Sequence, residues 1–204
     1  MEHVWRRVEG HTEASLVQVY AKAIAMMPDD FRFVEVGSFL GQSAAVAVVE
    51  AVNSGKTFQI DCVDLWKRTT AINNRTAFDA PKEERADESK KVDFLEKFKN
   101  NLEKHDLLQY VTPKQGKSVE IAATYEDESV DFVFIDAEHT YKYVNGDIQA
   151  WLPKLKKGGI MAGHDYNPRA SWSVDGVIKA VNDNFGEGNF DLIGKCWWYV
   201  NEKV

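Results

Sequence analysis

The chain has 204 residues, of which 44% are hydrophobic and 28% charged, the balance of an ordinary globular domain. Its formal net charge of −7 argues against binding to nucleic acid through broad electrostatic attraction. The 2 cysteines form no CxxC pair, which argues against a disulfide scaffold or a zinc ribbon. Because the sequence shows no apolar signal core and no apolar run of roughly 20 residues, we expect a cytoplasmic protein without a membrane span.

The first part of the chain predicts alternating helices and strands. Apolar residues recur at helical spacing between Thr12, which is placed to cap a first helix, and Pro28, which ends it. The apolar run 31–36 predicts a buried parallel strand. Residues 41–52 predict a helix that is apolar almost all round, and residues 57–66 predict a second strand.

The polar segment 67–90 interrupts this alternation. It has no sustained hydrophobic period and is long for a connection in a compact domain. We therefore expect either a lid on the substrate side or a solvated insertion with no catalytic role. A helix that starts with Phe94 and ends near His105 follows it.

The rest of the chain continues the alternation. The predicted elements are a strand within 107–116, a short helix at 118–125, a strand at 130–135, a helix at 141–155, a strand at 159–163, a helix from Ser173 or Asp175 through Phe185, and two strands within 189–202. This order predicts an α/β fold. We expect one Rossmann-like, doubly wound domain over residues 1–204, with a mostly parallel, seven-stranded sheet and an antiparallel C-terminal strand. The aromatic residues Trp197 to Tyr199 of the last strand should pack in the core or at a contact of a homo-oligomer.

Acid–base and metal-binding side chains directly follow two of the predicted strands. Asp136 ends strand 130–135, with His139 close behind, and His164 and Asp165 end strand 159–163. A helix joins these strands, so they should pair in parallel through a right-handed crossover and end at the same edge of the sheet. Open α/β sheets bind ligands at that edge, so the four side chains are predicted to share one site.

The segment EVGSFLGQSA, residues 35–44, is a strand–loop–helix junction. Gly37 allows a tight turn, and Gly41 opens a helix whose free N–H groups can hold an anion. The dinucleotide pattern GxGxxG and the phosphate-loop ending GK[ST] are both absent. Asp64 ends the next strand, where nucleoside-binding sheets hold the ribose hydroxyls. A purely structural turn at the glycines and a loop cap at Asp64 would explain the same residues.

Together these features resemble the class I S-adenosylmethionine-dependent methyltransferases, over residues 31–166. EVGSFLGQSA is similar to the first motif of the small-molecule O-methyltransferases, catechol O-methyltransferase among them. FIDAEHTYKYVNGDIQAWLPKLKKGGIMAGHDY is similar to a stretch shared by methyltransferases found beside sugar and antibiotic biosynthesis enzymes.

The resemblance implies S-adenosylmethionine as the cofactor. Glu35 and the two glycines would border its methionine end, Ser43 would bind the methionine carboxylate, and Asp64 would bind the ribose. The adenine would rest on the turn after the third strand. The full set of cofactor-binding residues that the resemblance implies is Glu35, Gly37, Ser38, Gly41, Ser43, Asp64, Lys117, Ser118 and Asp136.

The resemblance also implies roles for the second group of residues. In the metal-dependent O-methyltransferases the positions of Asp136, His164 and Asp165 hold Mg²⁺, but His164 stands where those enzymes carry Asp or Glu. Since Mg²⁺ prefers oxygen ligands, a softer cation such as Mn²⁺ binds here, or His164 is not a ligand, or no metal binds. His139 lies where catechol O-methyltransferase carries its lysine base, which implies a catalytic base assisted by Asp136. A structural role for His139, at a helix cap or beside a neighbouring loop, is the alternative.

The predicted function is O-methylation of a small hydroxylated acceptor, of the sugar or phenol type. Nucleic-acid acceptors are disfavoured by the net charge of −7 and by the absence of an amino-methylation motif. Two alternatives remain: a metal-dependent, hydroxylase-like enzyme on the same fold, and a non-catalytic module that binds the cofactor.

Overall fold

The computed structural model describes residues 1–67, 93–168 and 175–202. The expected lid or insertion at 67–90 therefore lies outside the described residues, apart from its first position, and so does Ser173 as a helix start. In the described ranges, no helix is both long enough and apolar enough to cross a membrane.

Helices and strands alternate along the chain, as the sequence predicts. The helices are α1 (Ala14–Met26), α2 (Gln42–Ser54), α3 (Phe94–Glu103), α4 (Ser118–Ala122), α5 (Tyr141–Trp151) and α6 (Asp175–Phe185). The strands are β1 (Phe31–Val36), β2 (Phe58–Asp64), β3 (Val111–Gln115), β4 (Val130–Ile135), β5 (Leu155–Gly163), β6 (Asp191–Ile193) and β7 (Cys196–Val200). Short 3₁₀ helices lie at Trp5–Arg7, Leu108–Tyr110 and Leu152–Lys154.

The strands form one 7-stranded sheet in the order β3-β2-β1-β4-β5-β7-β6. The pairs β1–β2, β1–β4, β2–β3 and β4–β5 are parallel, whereas β7 is antiparallel to both β5 and β6. This arrangement confirms the predicted sheet and its antiparallel C-terminal strand. The strand order reverses between β1 and β4, so the carboxyl ends of these two strands form the crevice where such sheets bind ligands.

Each face of the sheet packs against its own layer of helices, because side chains alternate along a strand. In β1, Phe33 belongs to a core that includes α1 and α2, whereas Val34 belongs to a core that includes α5 and α6. Trp198 and Trp197 of β7 divide in the same way and are 2% and 1% exposed. Trp197 and Trp198 are therefore core residues, whereas Tyr199 is partly buried against the second core.

The first helix departs from the prediction at its start. It begins at Ala14, and Glu13 rather than Thr12 is its N-cap. Thr12 is held elsewhere, because its backbone N–H donates to Oε1 of Gln42 in α2 over 2.7 Å. The prediction that Thr12 caps this helix is therefore wrong.

The boundary between α5 and β5 also differs. The helix predicted to run through Leu155 ends at Trp151, and β5 already begins at Leu155 rather than at Gly159. Pro153 lies in the 3₁₀ helix between them and lacks the N–H group that a helix interior requires. Gly158, which lies outside the predicted strand, and Gly159, its first residue, both lie inside β5, where the pairing with β4 is irregular.

Candidate active site

Three loops at the carboxyl edge of the sheet carry the candidate site. The backbone N–H groups of Gly37, Asp136 and His164 donate to carbonyls of β2, β1 and β4 over 2.8, 2.8 and 3.1 Å. The hydrogen bonding of the sheet therefore continues into the first residue of each loop. The loops that carry the predicted cofactor and acid–base residues therefore start side by side at the edge of the sheet.

Gly37 and Gly41 shape the loop between β1 and α2. Their φ angles are +96° and +93°, in the left-handed region that favours glycine. A Cβ atom on Gly37 would overlap the backbone of Asp136, and one on Gly41 would lie 3.2 Å from side chains of α3. Gly37 therefore lets the loops after β1 and β4 touch, which joins the two halves of the predicted site.

Glu35 is a buried carboxylate directly before this loop, only 1% exposed. Its Oε1 accepts a hydrogen bond from the Tyr20 hydroxyl over 2.8 Å, whereas its buried Oε2 has no hydrogen-bond partner in the described part of the chain. Burial raises the pKa of Glu35, and the hydroxyls of Ser38, Tyr20 and Ser43 oppose that shift. Ser38 and Ser43 thus lie beside the carboxylate without a well-aligned bond to Oε2. The sequence did not single out Tyr20.

Asp64, the predicted ribose residue, organises the loops around it. Its Oδ2 accepts from the backbone N–H of Phe39 over 2.9 Å, and its Oδ1 from that of Trp66 over 2.7 Å. Burial raises the pKa of Asp64, and these backbone hydrogen bonds partly offset the effect. The indole N–H of Trp66 in turn donates to the Phe39 carbonyl over 2.7 Å. The backbone N–H groups of Phe39, Leu65 and Trp66 occupy part of the acceptor capacity of the carboxylate and leave the rest for a ligand hydroxyl.

The side chains of the predicted adenine turn make contacts within the protein. Lys117 is 67% exposed and donates to Glu120 over 2.7 Å. The Ser118 hydroxyl accepts from the indole N–H of Trp151 over 2.8 Å. It also lies beside Asp147, whose pKa burial raises to about 6. Both side chains that the resemblance assigns to the adenine thus have polar partners within the protein.

Gln42, the first residue of α2, ties the N-terminal segment to the site. Its Oε1 accepts from Thr12, and its Nε2 donates to the carbonyls of Trp5 and Val8 over 3.1 and 2.8 Å. One side chain thus anchors residues 5–12 beside the loop between β1 and α2. Nothing in the sequence marks such contacts, because glutamine carries no pattern of its own.

The four acid–base side chains predicted to share a site lie together. Nε2 of His139 is 2.8 Å from Oδ2 of Asp165 and 3.9 Å from Oδ1 of Asp136. Nδ1 of His164 is 3.2 Å from Oδ1 of Asp165 and 3.9 Å from Oδ1 of Asp136. Asp165 therefore stands between the two imidazoles, and Asp136 borders both of them.

The two carboxylates determine how the histidines are protonated. Burial lowers the pKa of His139, but its hydrogen bonds to Asp136 and Asp165 and their charges outweigh burial and raise the pKa to about 9. The pKa of His164 is also raised by these carboxylates against the effect of burial. Burial favours the neutral form of Asp165, yet the two histidines hold its pKa well below the usual range. At neutral pH the metal-free protein therefore carries an Asp165 carboxylate beside a His139 imidazolium.

Asp165 has an unusual backbone conformation. Its φ angle is +62°, a region that few residues other than glycine adopt and that costs on the order of 1 kcal/mol. The N–H of Asn167 donates to its carbonyl over 2.9 Å, which helps to hold this conformation. Such strained residues occur often at ligand-binding and catalytic sites.

Asp136, His139 and Asp165 form a set of candidate metal ligands. One donor atom of each lies within 4.8 Å of the others. In this set His139 takes the place that the resemblance gave to His164. Nε2 of His164 is instead buried without a hydrogen-bond partner among the described residues, 3.9 Å from Oε2 of Glu13. Two carboxylates and one imidazole suit Mn²⁺, Fe²⁺ or Zn²⁺ better than Mg²⁺.

Solved structures with similar folds include methyltransferases. The O-methyltransferase NovP matches with a TM-score of 0.67 and 15% identity, over 96% of this chain and 84% of that one. A SAM-dependent O-methyltransferase from Thermotoga maritima matches with a TM-score of 0.60 and 15% identity, over 97% and 69%. Precorrin 8w decarboxylase from Methanobacterium thermoautotrophicum matches with a TM-score of 0.55 and 16% identity, over 91% and 77%. At these identities the likeness shows the fold alone, and one fold supports several reactions.

Comparison by sequence gives the family. The uncharacterized protein y4gI of Sinorhizobium fredii is 27% identical over 77 residues, which is 36% of this chain and 8% of that protein. The chain thus spans only a small part of the length of this curated relative. The profile of a family described as a methyltransferase domain matches residues 34–166. Because this match spans more than half of the chain and includes both strand-end motifs, the chain belongs to that methyltransferase family.

Proposed function

We propose that the protein transfers the methyl group of S-adenosylmethionine to a hydroxyl oxygen of a small acceptor, such as a sugar or a phenol. The observation that carries this proposal is the direct contact between the loops after β1 and β4, at Gly37 and Asp136. A cofactor bound along the first loop would present its methyl group beside the acid–base cluster of the second. Membership of the methyltransferase family supports the reaction type. The net charge of −7 supports a small acceptor rather than nucleic acid.

The residues around the first loop fit the cofactor. Oε2 of Glu35 is a buried acceptor with no partner among the described residues, and it suits the ammonium group of the methionine part. Helix α2 has no side-chain cap at Gly41, so its N–H groups and Ser43 suit the carboxylate. Asp64 suits the two ribose hydroxyls through its remaining lone pairs.

The second loop fits the acceptor half of the reaction. Methyl transfer from a sulfonium is an SN2 displacement in which the acceptor oxygen bonds to the methyl carbon while the carbon–sulfur bond breaks. The protein must align that oxygen and accept its proton. His139 is placed for this task, but with a pKa of about 9 it already holds a proton at neutral pH. In the metal-free protein only a small neutral fraction of His139 would act as the base.

The same cluster fits a divalent cation. Asp136, His139 and Asp165 would hold the ion, with His139 as a neutral ligand. Such a cation would lower the pKa of a substrate hydroxyl bound to it. His164 lies next to this group. It hydrogen-bonds Asp165 and helps to orient that carboxylate. Metal assistance would thus remove the need for His139 to act as the base.

Two experiments test the proposal. Calorimetry with S-adenosylmethionine should give saturable binding to the wild-type protein and weaker binding to Glu35→Gln. Transfer of a labelled methyl group should then be measured with a panel of sugars and phenols, in Mn²⁺, in Mg²⁺ and with a chelator. We expect methyl transfer to oxygen, and we expect His139→Gln to reduce its rate at least about 100-fold, because the variant loses the base of the metal-free reaction or a ligand of the cation.

Other outcomes point to the alternative functions. Folded protein that binds no S-adenosylmethionine at millimolar concentration would overturn the proposal. Turnover that needs Fe²⁺ and O₂ without methyl transfer would identify a hydroxylase-like enzyme. Cofactor binding with a cellular function that survives both Asp136→Ala and His139→Ala would identify a non-catalytic module.

A further inference from the structure

Tyr20 of α1 is a buried residue outside both sequence motifs, yet it touches the candidate cofactor site. Its hydroxyl donates to Oε1 of Glu35 over 2.8 Å. Tyr20 is 0% exposed and Glu35 is 1% exposed, so this bond is shielded from water. A buried hydrogen bond to a carboxylate is stronger than a neutral one and holds its partner firmly.

The ring of Tyr20 is fixed by three phenylalanines of the sheet. It makes edge-to-face contacts with Phe33, Phe132 and Phe134, at centroid distances of 5.2, 5.9 and 4.9 Å and interplanar angles of 80°, 87° and 89°. This is the preferred geometry for aromatic pairs. With its ring held by β1 and β4, the hydroxyl has little freedom to leave Glu35.

The fixed hydroxyl leaves one oxygen of Glu35 for another group. Oε2 is buried and has no hydrogen-bond partner in the described ranges. An uncompensated buried carboxylate oxygen is costly, and its cost is removed when a cationic donor binds. The hydroxyls of Ser38 and Ser43 lie close to the Glu35 carboxylate, directly before the loop that begins at Gly37. The cofactor's ammonium group is the cation that the proposed function brings to this loop.

We propose that Tyr20 is a positioning residue for the cofactor, whose hydroxyl orients Glu35 so that Oε2 meets the ammonium group of the methionine part. This inference rests on the proposed function. Tyr20 touches Glu35 and not the reacting atoms, so it acts only through that carboxylate. Loss of its hydroxyl should therefore weaken the binding of ligands that carry the amino-acid part of the cofactor. Binding of ligands that lack this part should not change.

The chain offers a matched control in Tyr125. Its hydroxyl donates to Oδ2 of Asp61 over 2.7 Å, and the two residues are 8% and 1% exposed. Tyr125→Phe therefore removes the same kind of buried hydrogen bond as Tyr20→Phe. Asp61 lies in the body of β2, away from the loops that form the candidate site.

The experiment compares two ligands on three proteins. Calorimetry measures the affinities of S-adenosylhomocysteine, which carries the amino-acid part, and of 5′-methylthioadenosine, which lacks it. The proteins are the wild type, Tyr20→Phe and Tyr125→Phe. Tyr20→Phe should lower the affinity for S-adenosylhomocysteine roughly tenfold or more, the size expected for a hydrogen bond to a charged group. It should change the affinity for 5′-methylthioadenosine less than about twofold. Tyr125→Phe should change neither.

Each other outcome has a definite meaning. If Tyr20→Phe lowers the affinity for both ligands equally, or for neither, the inference is overturned. A purely structural role of Tyr20 would not distinguish one ligand from the other. Wild-type protein that binds neither ligand overturns the proposed function instead. If Tyr20→Phe does not fold, the change is made in Glu35→Gln, where no buried charge loses its donor. There it should leave S-adenosylhomocysteine affinity unaltered, and a further loss would contradict the inference.

Discussion

Binding of a divalent cation to Asp136, His139 and Asp165 should release a proton, because a histidine must be neutral to bind a metal. His139 has a pKa of about 9, the net result of burial, which lowers it, and of two carboxylates, which raise it. At pH 7 about 99% of the protein therefore carries this proton. We expect about one proton released per ion at pH 7 and about half at pH 9. Apparent affinity should rise roughly tenfold per pH unit between pH 6 and 8 and level off above pH 9.

Titration calorimetry with Mn²⁺ in buffers of different ionisation enthalpy counts the released protons directly. The NMR titration of the His139 ring gives its pKa in the metal-free protein. His139→Gln serves as the control, and it should lose both the high affinity and the proton release. Tight binding at pH 7 without proton release would refute the reasoning, as would Mn²⁺ affinity that survives in His139→Gln.

Three further predictions follow from contacts near the site. Gly37→Ala should abolish binding of S-adenosylhomocysteine in calorimetry, since the added methyl overlaps the Asp136 backbone at a φ of +96°; unchanged affinity would show that the loops can separate freely. Burial raises the pKa of Asp147 from the ordinary value of 3.8 to about 6 in the folded protein. Ionisation of Asp147 therefore destabilises the fold as pH rises through 6. Asp147→Asn should raise the free energy of urea unfolding by up to about 3 kcal/mol at pH 7.5 and leave it unchanged below about pH 3, and no gain at pH 7.5 would contradict the shift. Gln42→Ala removes three hydrogen bonds to residues 5–12 and should lower that free energy by about 2 kcal/mol and speed proteolysis of the segment, whereas an equal cleavage rate would show that other contacts hold it.

The sequence predicted the fold well where hydrophobic pattern alone decides it. The bounds of β1 and β4 follow from segments rich in apolar residues, and both strands are buried on two faces. Polar residues directly after these strands had to share one edge of a parallel sheet, so the meeting of Asp136, His139, His164 and Asp165 was predictable. Connectivity and chirality fix such a meeting without knowledge of side-chain packing.

The predictions failed, or were silent, where packing between distant elements decides the outcome. Thr12 is a good helix cap by residue type, but the Gln42 side chain holds its N–H. The choice between His139 and His164 as a candidate ligand depends on where the donor atoms of Asp136 and Asp165 lie relative to the two imidazoles, which no local pattern predicts. The hydrogen bond between Tyr20 and Glu35 depends on how α1 is rotated about its own axis against the sheet. Hydrophobic spacing does not define that rotation closely enough to predict the bond.

The backbone hydrogen bonds of Gly37, Asp136 and His164 to the adjacent strands have a consequence for how the protein can evolve and move. Amides bonded in this way should exchange with deuterium as slowly as the sheet interior, so the first residue of each loop shares the rigidity of the core. The starts of these loops should therefore stay in place when the protein adapts to a new acceptor. Adaptation would instead come from elements without such bonds to the sheet, such as residues 5–12, which the Gln42 side chain ties to α2. Acceptor choice could thus drift through a few surface residues while the methyl-transfer geometry stays constant.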